Sequence, residues 1–315
     1  MTVKEIFDLR KQGKIEEAYE AIRPMYAVHQ GKYTTLCMFW TASDILKKRI
    51  AENRTDEARK IFEALLRVLP NIEDADGRAH SAIVRGALRL KKACPAFSML
   101  GFLEHYGVDK LSDADWQDFV PTKTAGNEDS TPQRLPSPAQ QMLRFAFEEI
   151  QLKGDADSAL KVMPMLQEAM RRNPRYVHNH RYMAVIYCIT GEQDKAREIY
   201  RQLLTRHHES YLYAELAQLT DEPGPKAALL CRAIENQRQE RFCTAYRYML
   251  ATLLAGNADK HAAYELKKCM DTRQALGYPI NRQMLSLQEK LSTVEPAGRA
   301  EQLDFYRRME EKFHV

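Results

Sequence analysis

At 315 residues the chain is long enough to bury a core without help from a partner. Its 44% hydrophobic and 29% charged content excludes a disordered, collagen-like or membrane-embedded protein. The 47 basic and 43 acidic side chains are interleaved, so the net charge of +4 is too small and diffuse to indicate nucleic acid by itself.

The 36 Ala and 32 Leu outweigh 11 Val and 14 Ile, with only 13 Gly and 13 Pro to interrupt them, and this balance predicts an all-α protein. Along the chain one pattern recurs: a helix, a short break containing Gly, Asn or Asp, an Ala shortly after it, then bulky apolar residues about one and two turns on. The first copy follows a short helix over 3–11 and runs from Gly13 through Ala18 to Ile22 and Met25. The second runs from Asn53 through Ala58 to Phe62 and Leu65.

The stretch 73–120 departs from the pattern. An amphipathic helix over 74–92 carries Ile83, Ala87 and Leu90 on one face, and another is expected over 95–105. After it, Ser112 or Asp113 caps a short helix that docks Trp116 and Phe119. Residues 121–138 hold four prolines among Thr, Ser, Gly, Asn and Asp and read as a flexible linker.

The pattern then resumes, from Gly154 through Ala159 to Met163 and Leu166, and from Gly191 through Ala196 to Tyr200 and Leu203. Weaker copies centre on Ala227 and Ala262, and capping helices are expected over 281–291 and 295–313. The expected organisation is therefore 1–72 helical hairpins, 73–120 irregular helical segment, 121–138 linker, 139–278 repeats and 279–315 capping helices.

The anchors Ala159, Ala196, Ala227 and Ala262 lie 37, 31 and 35 residues apart, the period of a helix-turn-helix repeat. With Tyr182, Ala184, Tyr187, Ala196 and Tyr200 in the best copy, the chain resembles the tetratricopeptide repeat (TPR) family. That resemblance implies a helical-hairpin solenoid. Ile6, Leu46 and Phe147 stand where the family has a small residue, so their hairpins are expected to pack with altered geometry.

Stretches around Phe7 to Ala18, Phe102 and Leu103, Trp116 to Phe119, Ala228 to Ile234, and Tyr264 to Lys268 with Arg273, Gly277 and Tyr278 are similar to a narrower group. This is the TPR module of bacterial TOTE-type conflict systems. The resemblance implies an accessory interaction module of bacterial origin, with no catalytic residues to carry over and any nucleic-acid link made through a partner.

No Gly-rich phosphate loop, H-E-x-x-H or G-x-S-x-G is present, so no enzyme, cofactor or metal is expected. His178 and His180 are two apart on a helix and point to different sides. Six scattered cysteines without a C-x-x-C pair read as buried thiols in a reducing cytoplasm, and no apolar export segment or membrane span is found.

Aligned on the Ala anchors, Arg144, Arg181 and Arg247 fall at one repeat position, on the face that lines a TPR groove. They are candidate anchors for carboxylates or phosphates, unless they pair with acidic groups of adjacent helices such as Glu148. Tyr182, Tyr187, Tyr211, Tyr213, Tyr246 and Tyr248 are at helical spacing and are expected to pack in the core. The expected function is a non-catalytic scaffold that holds a protein or peptide segment in the groove of 137–280. The alternative is a nucleic-acid-associated accessory of a conflict system. The sequence leaves the oligomeric state open.

Overall fold

A computed structural model describes residues 1–118 and 135–315, so Phe119 and most of the expected linker lie outside the described residues. Among the described residues there are sixteen α-helices and no β-strand. The chain divides into two compact units, Met1–Arg175 and Tyr176–Val315.

The first unit contains α1 (Val3–Lys11), α2 (Ile15–Val28), α3 (Lys32–Ala51), α4 (Thr55–Val68), α5 (Arg78–Ala93), α6 (Met99–Tyr106), α7 (Pro138–Lys153) and α8 (Ala156–Arg172). Consecutive helices pack in pairs, α1 on α2, α3 on α4 and α7 on α8. The breaks between partners are made by Gly13, Asn53 and Gly154 at φ 78°, 59° and 64°. This left-handed geometry suits Gly and is tolerated by Asn, which is why those residue types stand there. The anchors Ala18, Ala58 and Ala159 are fully buried, and a methyl side chain lets the two backbones of each pair approach.

The core of this unit centres on Phe62 of α4, whose ring meets Phe97 edge-on at 5.7 Å and Phe102 at 5.6 Å. A Cβ added at Gly86 of α5 would lie 3.2 Å from the same ring and 3.1 Å from Leu46, so the bare backbone there lets α5 close on α3 and α4. Ile83, Ala87 and Leu90 are buried as their spacing predicts, although α5 starts only after Gly77. Likewise α6 starts at Met99 rather than near Pro95, where Ser98 accepts from the Gly101 N–H. The short helix after it is a 3-10 turn, Asp113–Trp116, capped by Ser112, and Trp116 is half-buried under the Arg172 guanidinium at 5.3 Å.

The sequence groups 139–278 together, whereas α7 and α8 fold with the first unit. Glu149 of α7 supplies a reason. Its carboxylate accepts from the Met99 and Leu100 N–H groups at 2.8 and 3.3 Å, from Ser98 Oγ at 2.8 Å and from Lys91 Nζ at 2.7 Å. It thereby caps α6 from a distance of fifty residues in sequence and ties α5, α6 and α7 together. Burial opposes its charge, but these donors hold the carboxyl below its usual range. Asp118 and Ser137, on either side of the undescribed residues, are hydrogen-bonded at 3.2 Å, so both ends meet at one place in this unit. Ser137 also N-caps α7.

The second unit contains α9 (Val177–Ile189), α10 (Gln193–Leu204), α11 (Ser210–Gln218), α12 (Pro223–Glu235), α13 (Thr244–Leu254), α14 (Asp259–Ala275), α15 (Arg282–Lys290) and α16 (Arg299–Phe313). The pairs are α9 with α10, α11 with α12 and α13 with α14. Ala196, Ala227 and Ala262 are buried at their centres, and Gly191 turns the first pair at φ 84°.

The C-terminal helices do more than cover the last pair. α15 packs on α14, but α16 returns to lie mainly on α12. The approach is close at its end, where a Cβ on Gly224 would fall 2.3 Å from the Phe313 ring. At its start, Ala297 N–H donates to Lys260 O at 3.0 Å, which fixes where the chain turns back.

Candidate functional site

Because α16 folds back, it brings two of its residues against the last helix pair. Gln302 and Tyr306 are one turn apart on α16 and so share a face. Both are buried, and both reach Glu265 of α14, which is 0% exposed. Gln302 Nε2 donates to Glu265 Oε1 at 2.7 Å and the Tyr306 hydroxyl donates to the same oxygen. Arg247 of α13 donates from Nη1 to Glu265 Oε2 at 2.6 Å and to the Tyr306 oxygen at 3.2 Å.

Each member of this network is satisfied, as a buried polar cluster requires. Gln302 spends its amide nitrogen on Glu265, so its Oε1 must accept from His261 Nδ1, 2.7 Å away. The His261 proton therefore sits on Nδ1, with the ring stacked on Phe305 at 4.1 Å. Burial raises the Glu265 carboxyl, opposed by Arg247 and the Tyr306 and Gln302 donors. Burial works against the Arg247 charge too, yet Glu240 and Glu265 hold the guanidinium above its usual range. Burial and the Glu265 charge push the Tyr306 hydroxyl up, so it remains a donor.

The outer edge of Arg247 faces the surface. Its Nε donates to Glu240 Oε1 and its Nη2 to Glu240 Oε2 at 3.0 Å. Glu240 belongs to a 3-10 turn, Glu240–Phe242, and its side chain is 47% exposed. Above this floor opens a cleft of about 660 Å³ with Ile234, Leu276 and Leu303 among its apolar lining. Arg241, Lys268 and Arg299 also line it and make no ion pair among the described residues.

The three arginines aligned by sequence thus occupy three different settings. Arg247 is 8% exposed and doubly paired. Arg181 grips both oxygens of Glu215 from Nε at 3.0 and 2.9 Å and lies over the Tyr211 ring at 5.1 Å. Tyr200, also bonded to Glu215, is buried, and burial with the Glu215 charge raises its hydroxyl. Arg144 belongs to the first unit, is half-exposed and lies 3.7 Å from Glu148, the pairing the sequence offers as the alternative. The structure therefore does not present three equivalent free guanidiniums, because helix neighbours differ from one repeat to the next.

Of the tyrosines, Tyr182 and Tyr213 are buried and Tyr187, Tyr211, Tyr246 and Tyr248 half-buried. His178 stacks on Tyr211 at 6.4 Å. All six cysteines are free thiols, and burial pushes Cys243 up to about 11. No helix among the described residues is long and apolar enough to cross a membrane.

A second acidic feature joins α12 and α16. Glu310 is held up to about 8 by burial and by the adjacent Glu235 carboxylate, with Arg232 at 3.3 Å pulling the other way. A carboxyl whose folded value lies above its unfolded one adds stability that is complete below the unfolded value. That stability is lost as pH rises through the folded value. Linkage alone gives a loss of about 2.7 kcal/mol between pH 6 and 9, and solvent screening of this partly exposed group reduces the expected loss to about 1 kcal/mol, roughly 2–4 °C in melting temperature. Glu310→Gln should flatten that part of the profile, and melting curves of both proteins at pH 6 and 9 check it; parallel profiles would refute the assignment.

Sequence reasoning missed Glu265, Gln302, Tyr306 and Glu240. One signal was available: Glu265 interrupts the apolar stripe of Ala262, Leu266 and Cys269 on α14, and a carboxylate on a buried face needs a partner. Residues 178–312, which contain the whole cleft, match the sequence family described as Domain of unknown function (DUF7017). No curated protein matches the chain.

Proposed function

We propose that the protein is a TPR-like helical-repeat scaffold, cytoplasmic and without chemistry of its own, that holds a segment of a partner protein. The supporting observation is the repetition itself. Six helix pairs among the described residues centre on a buried Ala, and five of them turn through a left-handed Gly or Asn. Such pairs stack into extended surfaces whose ordinary use is to bind peptides.

The accessory reading, with nucleic acid, is favoured by one feature of the first unit. A cleft of about 510 Å³ is lined by Trp40, Lys47, Arg78, Arg85 and Arg89. Lys47 and Arg78 pair with Asp44 and Asp76, while Arg85 and Arg89 make no ion pair among the described residues. Phosphate contacts from such a surface would give binding that falls steeply with salt.

Capture from native extract with and without nuclease, followed by rebinding of the purified chain to each recovered protein, separates the two readings. The scaffold reading expects a protein that survives nuclease and rebinds directly. Recovery that depends on intact nucleic acid would overturn it in favour of the accessory reading.

A further inference from the structure

The cleft of the second unit holds a paired arginine in an unusual state: one edge is locked and the other is closed by an exchangeable group. The Nη1 edge of Arg247 is committed to Glu265 and Tyr306, both buried. The Nε and Nη2 edge is occupied by Glu240, which reaches in from a short surface turn and keeps half of its side chain in solvent. Glu240 is the exchangeable partner of this pair, because water and salt compete for its half-exposed carboxylate while Arg247 itself is 8% exposed. The geometry of that outer edge is the bidentate one that any carboxylate fits.

The rim shows what charge the cleft favours. Arg241, Lys268 and Arg299 are exposed and lack acidic partners among the described residues. Among the acidic groups in the lining, Glu240 is taken by Arg247 and Glu235 lies against Glu310, which leaves Asp271. The apolar part is supplied by Leu276 and Leu303, each 40% exposed although large and aliphatic.

We propose that this cleft binds an acidic peptide segment, one of whose carboxylates replaces Glu240 on the outer edge of Arg247 while an adjacent apolar side chain covers Leu276 and Leu303. Glu240 is then an internal stand-in for the ligand. It keeps the Arg247 edge paired when the cleft is empty and sets a threshold that a partner must exceed. The remaining carboxylates of the segment meet Arg241, Lys268 and Arg299, which adds charge complementarity and speeds encounter. This assignment rests on the scaffold reading and gives its partner a chemistry.

The test uses the full chain to select from a displayed library of random dodecapeptides. The strongest peptide is then made synthetically, with a counterpart in which every Glu and Asp becomes Gln and Asn. The expected winners carry acidic residues beside Leu, Ile or Met, and the amide counterpart loses binding. Glu240→Gln should tighten the acidic peptide about fivefold by removing the competitor. The exposed triple Arg241→Ser, Lys268→Ser, Arg299→Ser should weaken it by about tenfold or more while melting like the wild type.

Winners that bind the triple variant and the wild type equally, or whose amide counterparts bind as well, would overturn the cleft assignment and leave the scaffold reading standing. A Glu240→Gln variant with unchanged affinity would remove the stand-in role and overturn the proposal as stated. Failure to select any peptide would count against both the cleft and the scaffold reading.

Discussion

Replacing Arg247 by Ala is expected to destabilise the second unit by about 3–5 kcal/mol, the usual cost of stranding a buried charge. Glu265 would keep its Tyr306 and Gln302 donors but lose its only cationic partner among the described residues, at a site with no solvent access. Urea denaturation followed by tryptophan-independent far-UV signal reads the loss as a fall in midpoint. The double variant Arg247→Ala, Glu265→Gln should recover part of it, since the stranded charge is then gone and only packing remains lost. A single variant that loses less than about 1 kcal/mol, or a double variant that loses the full sum, would show that the pair is not the buried support described here. The same result bears on how function is tested. A joint replacement of Arg144, Arg181 and Arg247 would confound lost binding with lost folding, so the exposed rim of the cleft is the better target.

Phe62→Ala should cost the first unit about 3–5 kcal/mol, the range for deleting a buried aromatic side chain. Phe62 is 2% exposed, and Phe97 and Phe102 both rest on its ring. Gly86 leaves no Cβ to fall into the space, so the cavity cannot close cheaply from that side. Thermal and urea unfolding of the variant measure the loss, and Phe62→Leu should lose markedly less because most of the volume stays filled. Equal losses for the two variants would mean that the ring contacts, and not the filled volume, carry the stability.

Much of the helix-level architecture was legible in the chain. The buried anchors Ala18, Ala58, Ala159, Ala196, Ala227 and Ala262 stand where the repeat pattern places them, and Gly13, Asn53, Gly154 and Gly191 fall in the expected breaks, where the structure shows left-handed turns. These features are local: the space between two paired helices admits only a small side chain, and a positive φ selects Gly or Asn. Boundaries were less legible. α5 and α6 begin later than their composition suggests, because Gly77 and Ser98 fix the first turns.

The candidate site was only partly legible. Arg247 was found through its repeat position, but repeat position alone could not tell it from Arg181 or Arg144. What separates them is which carboxylate the neighbouring helix brings: Glu240 and Glu265 for Arg247, Glu215 for Arg181 and Glu148 on its own helix for Arg144. Nothing in a single helix states that choice.

By itself, then, the sequence determined an all-helical chain of paired helices, their turn residues and the small residues at their centres, because these depend on spacing and steric size within about thirty residues. Only the tertiary structure decided that α7 folds with α5 and α6, through Glu149, and that α16 returns to α12 and buries Gln302 and Tyr306 against Glu265. Those outcomes rest on a buried carboxylate finding its donors from distant parts of the chain. The free energy of that search belongs to the assembled core and is written in no local pattern.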